Sequence, residues 1–505
     1  MRGFIRLLKW IFRLFLLLIV ALGAWLYFSP PELIRVAAGY SAKIVCSNVF
    51  LAGRDPEQVL QVDVQAPGHP LLKFIRLDVD REAKTVSAAL LGLFGEGIAV
   101  ERDGTGCANV PDGNLDAAKA FATAPIAAAS PSDGLWPEGG RVEPSQDPAI
   151  AQILDDQAMT GEGMRAVVVV QNGRIVGERY GAGFSETTPL LGWSMTKTVN
   201  AAILGTVVKA GKITVEQSDL FDDWKVDPRA AIQVEDLTSM TSGLEFNEDY
   251  GDVTDVTRML YLEPDMSAFA EAKPLAQEVG STFNYSSGTA VMLSRLWQTA
   301  LGDQAAALGW PRQALFAPLG MTSAVLETDA RGTFVGSSYM YATARDWARF
   351  GQFLLQDGMW NGSEILPSGF VDWMHKEAPN TKGEYGWGQV WLRGPEAGTP
   401  PEQDPDNGFV LPPDTYWALG HDGQSIAIVP SKRLVVVRLG LTPSKLGYKP
   451  QKMVEALAKV WPDVATPEPH PAPAAPAEPA APAESAPETA APASPEQPAA
   501  PAPQQ

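Results

Sequence analysis

A serine and a lysine lie three residues apart at the predicted start of a helix. The segment Gly192-Trp193-Ser194-Met195-Thr196-Lys197 is followed by apolar residues at helical spacing up to Gly211, which predicts a buried helix beginning near Ser194. Residues three apart share one helix face, so Lys197 can reach the Ser194 hydroxyl. Burial can lower the pKa of a lysine from about 10.4 far enough for it to act as a base. The pair therefore indicates a nucleophile and its base, or else an exposed serine beside a surface lysine.

Two further segments carry groups that a nucleophilic serine needs. Thr282-Phe283-Asn284-Tyr285-Ser286-Ser287-Gly288 offers a phenol for proton transfer, and Leu419-Gly420-His421-Asp422-Gly423-Gln424 precedes two apolar runs that read as strands. An α/β-hydrolase would place Gly-x-Ser-x-Gly at a strand-to-helix turn, but the match at 423–427 leads into a strand. A Ser-His-Asp triad through His421 lacks an evident serine.

In this order and spacing, the motifs resemble those of the serine β-lactamase and penicillin-binding-protein superfamily. The similarity is to the class C-like branch, which includes esterases and 6-aminohexanoate-dimer hydrolase, and it covers roughly residues 142–460. Three more stretches of that branch are present, at 237–244, 341–351 and 385–388. The resemblance implies an α/β (α+β) fold in which an antiparallel sheet is flanked by helices and an all-helical subdomain is inserted.

The resemblance also implies roles for four residues. Ser194 would be the acylated nucleophile and Lys197 the base. Tyr285 would share the proton shuttle as a phenolate or as a relay, and a nearby cation would hold its pKa below about 10. The backbone N–H groups of Ser194 and Gln424 would form the oxyanion hole.

Substrate-binding positions depart from the family pattern. Ser287 stands where class C enzymes have an asparagine, and His421 stands where they have a lysine. These two changes alter the contacts by which class C enzymes recognise the side-chain amide and the carboxylate of a β-lactam. Gly423 is expected to let its strand approach the substrate, or else to be an ordinary turn glycine. Tyr250 resembles a substrate-contacting tyrosine, although its surroundings in Glu248-Asp249-Tyr250 also suit a solvated acidic loop.

These residues predict two-step acyl transfer to water on a small linear amide or ester, without a cofactor. A DD-peptidase or a weak β-lactamase acting on peptidoglycan-like substrates is the nearest alternative. The other alternative is a non-catalytic envelope protein that keeps the scaffold and binds a partner.

Composition excludes several other classes of function. The 505 residues carry a formal charge of −20, so a nucleic-acid-binding surface would need a basic stripe that the sequence lacks beyond its N-terminus. Four histidines and two cysteines, without a His-Glu-x-x-His or Cys-x-x-Cys motif, leave too few ligands for a zinc site.

Residues 1–29 read as a membrane anchor or signal segment. An unbroken apolar run from Leu14 to Phe28 follows four cations, and the stretch from Trp10 to Phe28 approaches the ~20 residues that span a hydrocarbon core. We expect an uncleaved anchor in a bacterial inner membrane with the catalytic domain in the periplasm. The alternative is a signal peptide cleaved near Ala21-Leu22-Gly23, with the rest of the chain secreted to the periplasm.

The remaining chain divides by composition. Residues 30–126 form a small N-terminal β-rich module, 127–146 a linker, and 147–465 the hydrolase domain. In an exported chain, Cys46 and Cys107 most simply form a disulfide, the alternative being two buried thiols.

The C-terminal segment, residues 466–505, consists mostly of Pro, Ala and Glu. Such a composition cannot bury enough apolar surface to fold, so we expect a disordered tail. A tail of this kind is typical of tethered proteins and would suit contact with the cell wall.

Overall fold

The computed structural model describes residues 2–124, 132–400 and 402–464. Residues 127–131 of the predicted linker and the predicted tail, residues 466–505, lie outside the described residues. The α-helices are α1 (Arg2–Phe28), α2 (Glu32–Phe50), α3 (Pro56–Val59), α4 (Leu115–Lys119), α5 (Pro148–Asp155), α6 (Gln157–Thr160), α7 (Met195–Lys209), α8 (Val234–Thr238), α9 (Asp255–Leu262), α10 (Met266–Glu271), α11 (Ser287–Leu301), α12 (Gln304–Trp310), α13 (Ala344–Leu355), α14 (Phe370–His375) and α15 (Gln451–Ala458). The strands are β1 (Ile75–Asp80), β2 (Thr85–Leu90), β3 (Phe94–Arg102), β4 (Gly106–Asn109), β5 (Met164–Gln171), β6 (Arg174–Tyr180), β7 (Leu190–Leu191), β8 (Val325–Leu326), β9 (Met340–Ala342), β10 (Met359–Trp360), β11 (Ser363–Glu364), β12 (Tyr416–Gly420), β13 (Gln424–Val429) and β14 (Leu434–Gly440).

Helix α1 is the apolar N-terminal segment. Its stretch Gly3–Phe28 has a mean hydropathy of 2.3 and none of it is buried against the rest of the protein. The helix is long and apolar enough to cross a membrane, a property that signal sequences share. It ends at Phe28 because the following Pro30 and Pro31 disfavour helical backbone in the residues before them.

The N-terminal module is a four-stranded antiparallel sheet, β1-β2-β3-β4, packed against α2. A side chain at Gly97 on β3 would come within 2.5 Å of the Gly39 backbone nitrogen on α2, so the helix and the strand touch along their backbones. Cys46 of α2 and Cys107 of β4 form a disulfide with their Cα atoms 6.1 Å apart. The predicted β-rich module and its disulfide are therefore present.

The central sheet has five antiparallel strands in the order β12-β13-β14-β5-β6. Strand β5 is apolar along its whole length because both of its faces are buried. Val168 and Val170 pack into the core that contains α7 and α13, whereas Val167 and Val169 pack into the core that contains α5 and α15. The antiparallel sheet flanked by helices confirms the predicted fold class.

Helix α7 lies between this sheet and the helices α8 to α12, which form the helical part of the fold. Its residues from Met195 to Val207 are all buried. A helix that is covered on every side keeps no polar face, which explains why its apolar residues show little bias toward one side. The helix that begins just after Ser194 is thus fixed in the middle of the protein.

The N-terminal module is joined by buried polar contacts to the part of the chain that contains the central sheet. Lys43 of α2 donates a hydrogen bond to Glu327, whose other oxygen accepts from the Cys107 backbone at 2.7 Å. Arg102 of β3 donates to the carbonyl oxygens of Thr328 and Asp329 at 2.8 and 2.9 Å. Because buried polar groups are costly when unpaired, these contacts fix how the two parts meet.

Candidate active site

Ser194 stands on a sharp turn immediately before α7. The turn is forced by Trp193, which has a positive φ of 47°, a backbone conformation that non-glycine residues seldom adopt. The preceding Gly192 is packed so closely that a side chain there would come within 2.3 Å of the Trp347 ring. The serine is therefore presented by a tightly held turn at the start of a buried helix, as the spacing predicted.

The Lys197 amine lies beside the serine. Its Nζ is 3.3 Å from Ser194 Oγ, 3.0 Å from Ser287 Oγ and 3.0 Å from the Ser337 carbonyl oxygen. The side chain is buried, and burial lowers the pKa of Lys197 to about 8, with the charge of Glu248 opposing the shift. An amine with this pKa is neutral in about a tenth of the molecules at pH 7 and in about half of them at pH 8, and the neutral form can accept a proton.

Tyr285 completes this group. The Lys197 amine lies 4.6 Å from the centre of the Tyr285 ring, which also packs against Trp391. Burial raises the pKa of Tyr285, and its interaction with the Ser194 side chain opposes the rise only in part. The prediction that a nearby cation lowers this pKa is therefore wrong, because desolvation outweighs the stabilisation of a phenolate. A neutral phenol suits a relay and not a base.

Ser287 links the lysine to a carboxylate that the sequence motifs did not reveal. Glu248 Oε2 accepts a hydrogen bond from the Ser287 backbone N–H at 2.7 Å, and its other oxygen accepts from the Ser287 hydroxyl. Burial raises the pKa of Glu248, and the charge of Lys197 opposes the rise. The only sequence signal for Glu248 was its position two residues before Tyr250.

A turn from the central sheet lies against the turn that carries Ser194. Strand β12 ends in a single 3-10 turn, His421–Gly423, and β13 begins at Gln424. A side chain at Gly420 would lie 2.2 Å from the Gly192 carbonyl oxygen, so the two backbones are in contact. The backbones of Ser194 and Gln424, predicted to form an oxyanion hole, are thus brought into one neighbourhood.

Gly423 has the conformation of a turn glycine, which is one of the two roles expected for it. Its φ of 82° favours glycine, and a side chain there would lie 2.8 Å from the guanidinium of Arg438. The Gln424 side chain is bonded to both the N–H and the carbonyl of Gly440, at 2.8 and 2.7 Å. These contacts hold the start of β13 against the end of β14.

A cleft of about 350 Å³ opens over Ser194. His421 and Tyr250 form part of its wall with their ring centres 5.4 Å apart, and Trp193 lies 5.9 Å from His421. The structure therefore brings all the sequence-predicted site residues to this one cleft or directly beside it, apart from the disulfide. Among the described residues that line the cleft there is no Lys or Arg.

Comparison with known proteins decides the family. A family model described as beta-lactamase matches residues 150–456. The chain belongs to the beta-lactamase family. This confirms the resemblance to the serine β-lactamase and penicillin-binding-protein superfamily that the motifs predicted.

Solved structures are similar to this beta-lactamase family chain. A Bacillus anthracis protein assigned as a 6-aminohexanoate-dimer hydrolase has a TM-score of 0.50 and 21% sequence identity, over 81% of this chain and 95% of its own. A penicillin-binding-protein homologue from Caulobacter crescentus has a TM-score of 0.47 and 15% identity, over 64% of this chain and 99% of its own. At these identities the likeness concerns the fold alone.

A shorter match is to an uncharacterised protein of Alkalihalophilus pseudofirmus. The two sequences are 32% identical over 102 residues, which is 20% of this chain and 29% of the relative. The match thus spans less than a third of that relative's length.

Proposed function

We propose that this chain is a serine hydrolase that cleaves an amide or ester bond through an acyl-enzyme on Ser194. The observation that carries the proposal is the buried Lys197 amine, 3.3 Å from Ser194 Oγ and with a pKa lowered to about 8. Every hydrogen-bond partner described above for this amine is a neutral oxygen, so no contacting carboxylate holds it in the charged form. Such an amine is suited to take the serine proton.

In the acylation step, neutral Lys197 takes the Ser194 proton while Oγ bonds to the substrate carbonyl carbon. The carbonyl oxygen becomes an oxyanion and is stabilised by the backbone N–H groups of Ser194 and Gln424. When the carbon–leaving-group bond breaks, the proton passes from Lys197 through the neutral Tyr285 hydroxyl to the leaving amine or alcohol. The products of this step are the acyl-serine and the released leaving group.

In the deacylation step, water replaces the leaving group. Lys197 and Tyr285 accept one proton from the water as its oxygen bonds to the acyl carbon, and the ester bond to Ser194 then breaks. The proton returns to Oγ. The acid leaves, and the serine and the neutral lysine are regenerated.

The cleft favours a small linear amide or ester as the substrate. The described residues that line it include the carboxylates Glu248 and Glu396 and no Lys or Arg, and His421 occupies the position of the lysine in class C enzymes. A carboxylate, as in a β-lactam or a stem-peptide terminus, would find no permanent positive charge in this lining. This argues against the β-lactamase and DD-peptidase alternatives.

We also propose that α1 anchors the protein in a bacterial inner membrane with the catalytic part in the periplasm. The four cations before the apolar run favour a cytoplasmic N-terminus, and a disulfide is stable in the oxidising periplasm. We retain the division into an N-terminal module at 30–126 and a hydrolase domain at 147–465, and contact of the 466–505 tail with the cell wall, as parts of this proposal.

A fluorophosphonate tests the nucleophile directly. Its phosphorus bonds to an activated serine oxygen as fluoride leaves, so intact mass measures one covalent adduct per site. We expect one adduct on the full chain and none on Ser194→Ala. Ser444→Ala is the matched control, because Ser444 lines the same cleft without contacting Lys197, and it should be labelled like the wild type. A wild-type chain that forms no adduct would contradict the proposal and favour a non-catalytic binding protein.

A further inference from the structure

An exposed apolar tip lies on the N-terminal module. Phe74, Leu91 and Leu93 are 53, 55 and 65% exposed, and they are three of the eight large hydrophobic side chains exposed after α1 in the described part of the chain. They form one patch, because the Leu91 N–H donates to the Phe74 carbonyl at 2.8 Å and Leu91 and Leu93 share the turn between β2 and β3. Exposed apolar groups that cluster in this way mark an interaction surface.

The position of this tip identifies what it contacts. A side chain at Gly95, two residues after Leu93, would lie 3.3 Å from Cβ of Pro30 and 2.7 Å from Ile34. Pro30 follows the end of α1 at Phe28 by two residues. The tip is thus held against the point where the apolar helix leaves the membrane that we propose for it.

Helix dimensions set the depth of that point. The stretch from Trp10 to Phe28 is about 28 Å long at ~1.5 Å per residue, which matches the ~30 Å hydrocarbon core. Phe28 therefore lies at the hydrocarbon boundary and Pro30 lies in the headgroup layer, which is about 5 to 8 Å thick on each side. Leu93 is within about 7 Å of Gly95 along the chain, so the turn reaches the same layer.

The charges around the tip suit this layer. Lys73 and Arg76 are exposed beside it, and Glu96 is the exposed carboxylate near the turn. Long basic side chains place their charge among headgroups while their stems lie along apolar groups. We propose that Phe74, Leu91 and Leu93 form a second membrane contact, which inserts into the outer face of the lipid bilayer beside α1. This proposal rests on the proposed placement of α1 in the membrane.

Two membrane contacts would restrict the orientation of the catalytic part relative to the bilayer. A single membrane helix can rotate about its own axis and tilt in the bilayer and carry its domain with it, whereas a second contact fixes the orientation relative to the bilayer. The contact would keep the N-terminal module, and the catalytic part bonded to it through Lys43 and Glu327, in one orientation above the lipid surface.

Depth-dependent quenching in nanodiscs tests the second contact on the full chain. Both native cysteines are in the disulfide, so a single introduced cysteine can be labelled with bimane, and the nanodiscs are phosphatidylcholine with or without doxyl-labelled lipid. Leu17→Cys reports on α1, Leu93→Cys on the tip, and Val410→Cys is the matched control because it is 74% exposed and apolar but lies elsewhere in the sequence.

We expect doxyl lipid to quench the labels at 17 and 93 by at least about twofold and to leave the label at 410 unchanged. Quenching at 17 without quenching at 93 would overturn the second contact while leaving the anchor. Quenching at 93 alone would overturn both the placement of α1 and the proposal of a second contact beside it, because the depth of the tip was set from the end of α1. Equal quenching at 93 and 410 would also overturn the proposal, because the effect would then belong to any exposed apolar site. Unchanged melting temperatures of the variants show that each label reports on the folded protein.

Discussion

Two lysines are buried in the part of the chain that the structure describes, and they differ in whether a carboxylate contacts the amine. Lys43, on α2, donates directly to the carboxylate of Glu327. Lys197, on α7, donates to two hydroxyls and one carbonyl, and the carboxylate of Glu248 bonds to the intervening serine instead. Burial lowers the pKa of both lysines.

The comparison separates a lysine in a structural ion pair from the lysine that we propose as the base. A contacting carboxylate favours the charged amine, so Lys43 serves as half of an ion pair that joins two parts of the chain. The Glu248 carboxylate reaches the Lys197 amine only through Ser287, and it therefore opposes the loss of the amine's charge more weakly. The Lys197 amine can thus become neutral near physiological pH. The presence and distance of the carboxylate, and not burial itself, distinguish the two.

The largest expected effect comes from removing the reactive pair. Ser194→Ala and Lys197→Ala should each lower kcat for an ester at least about a thousandfold, because each removes a part of one catalytic unit. For the same reason the double variant should lose little more than either single variant. Losses that multiply in the double variant would show that the two residues act independently.

Breaking the structural pair should instead affect stability. Lys43→Ala leaves the Glu327 carboxylate buried without its cation, which should cost about 3 to 5 kcal/mol in the free energy of unfolding measured with urea. Replacing both residues with methionine should restore most of that loss. The folded fraction of Lys43→Ala should still react with fluorophosphonate at the wild-type rate. A loss of that reactivity would show that Lys43 also affects the Ser194 site.

The pH dependence of the reaction should follow Lys197. Protonated lysine cannot take the serine proton, so kcat/KM should fall about tenfold for each pH unit below the pKa of about 8 and level off above it. The raised pKa of Tyr285 keeps the phenol neutral across this range. A profile that is flat between pH 6 and 8 would contradict a lysine base.

The smallest expected effect is a shift of that profile. The Glu248 charge raises the pKa of Lys197, so Glu248→Gln should lower this pKa further and move the rise in kcat/KM to lower pH. Asp249→Asn is the matched control, because the exposed neighbour removes the same charge without the contacts to Ser287. A shift to higher pH in Glu248→Gln, or equal shifts in both variants, would show that the Glu248 charge does not act on Lys197.

The features that could be predicted from the sequence are those set by residues close together in the chain or by family motifs. The contact between Ser194 and Lys197 was predictable because three residues of helix set it. The strands β13 and β14 were predictable from the two apolar runs that follow Gly423. The fold class and the position of Tyr285 came from the family motifs.

Other features depend on contacts between distant segments and carry no local signal. Glu248 meets Ser287 only because its loop folds over the start of α11. The contact between Gly192 and Gly420 joins two turns far apart in the chain. The packing of α2 on the N-terminal sheet was also missed, because a helix that is buried on most sides shows little amphipathic pattern.

The order of strands in the central sheet has a consequence for how the protein is made. Strand β5 is the first strand of this sheet in the sequence and lies between β6 and β14. Gln171 of β5 pairs with Leu434 of β14, so this pairing can form only after the last strand of the sheet has been synthesised. During synthesis the β5 edge of the β5–β6 hairpin therefore stays open, and open strand edges bind other chains. We therefore expect the chain to depend on a chaperone until β14 has been synthesised. A product truncated before β14 should aggregate instead of folding.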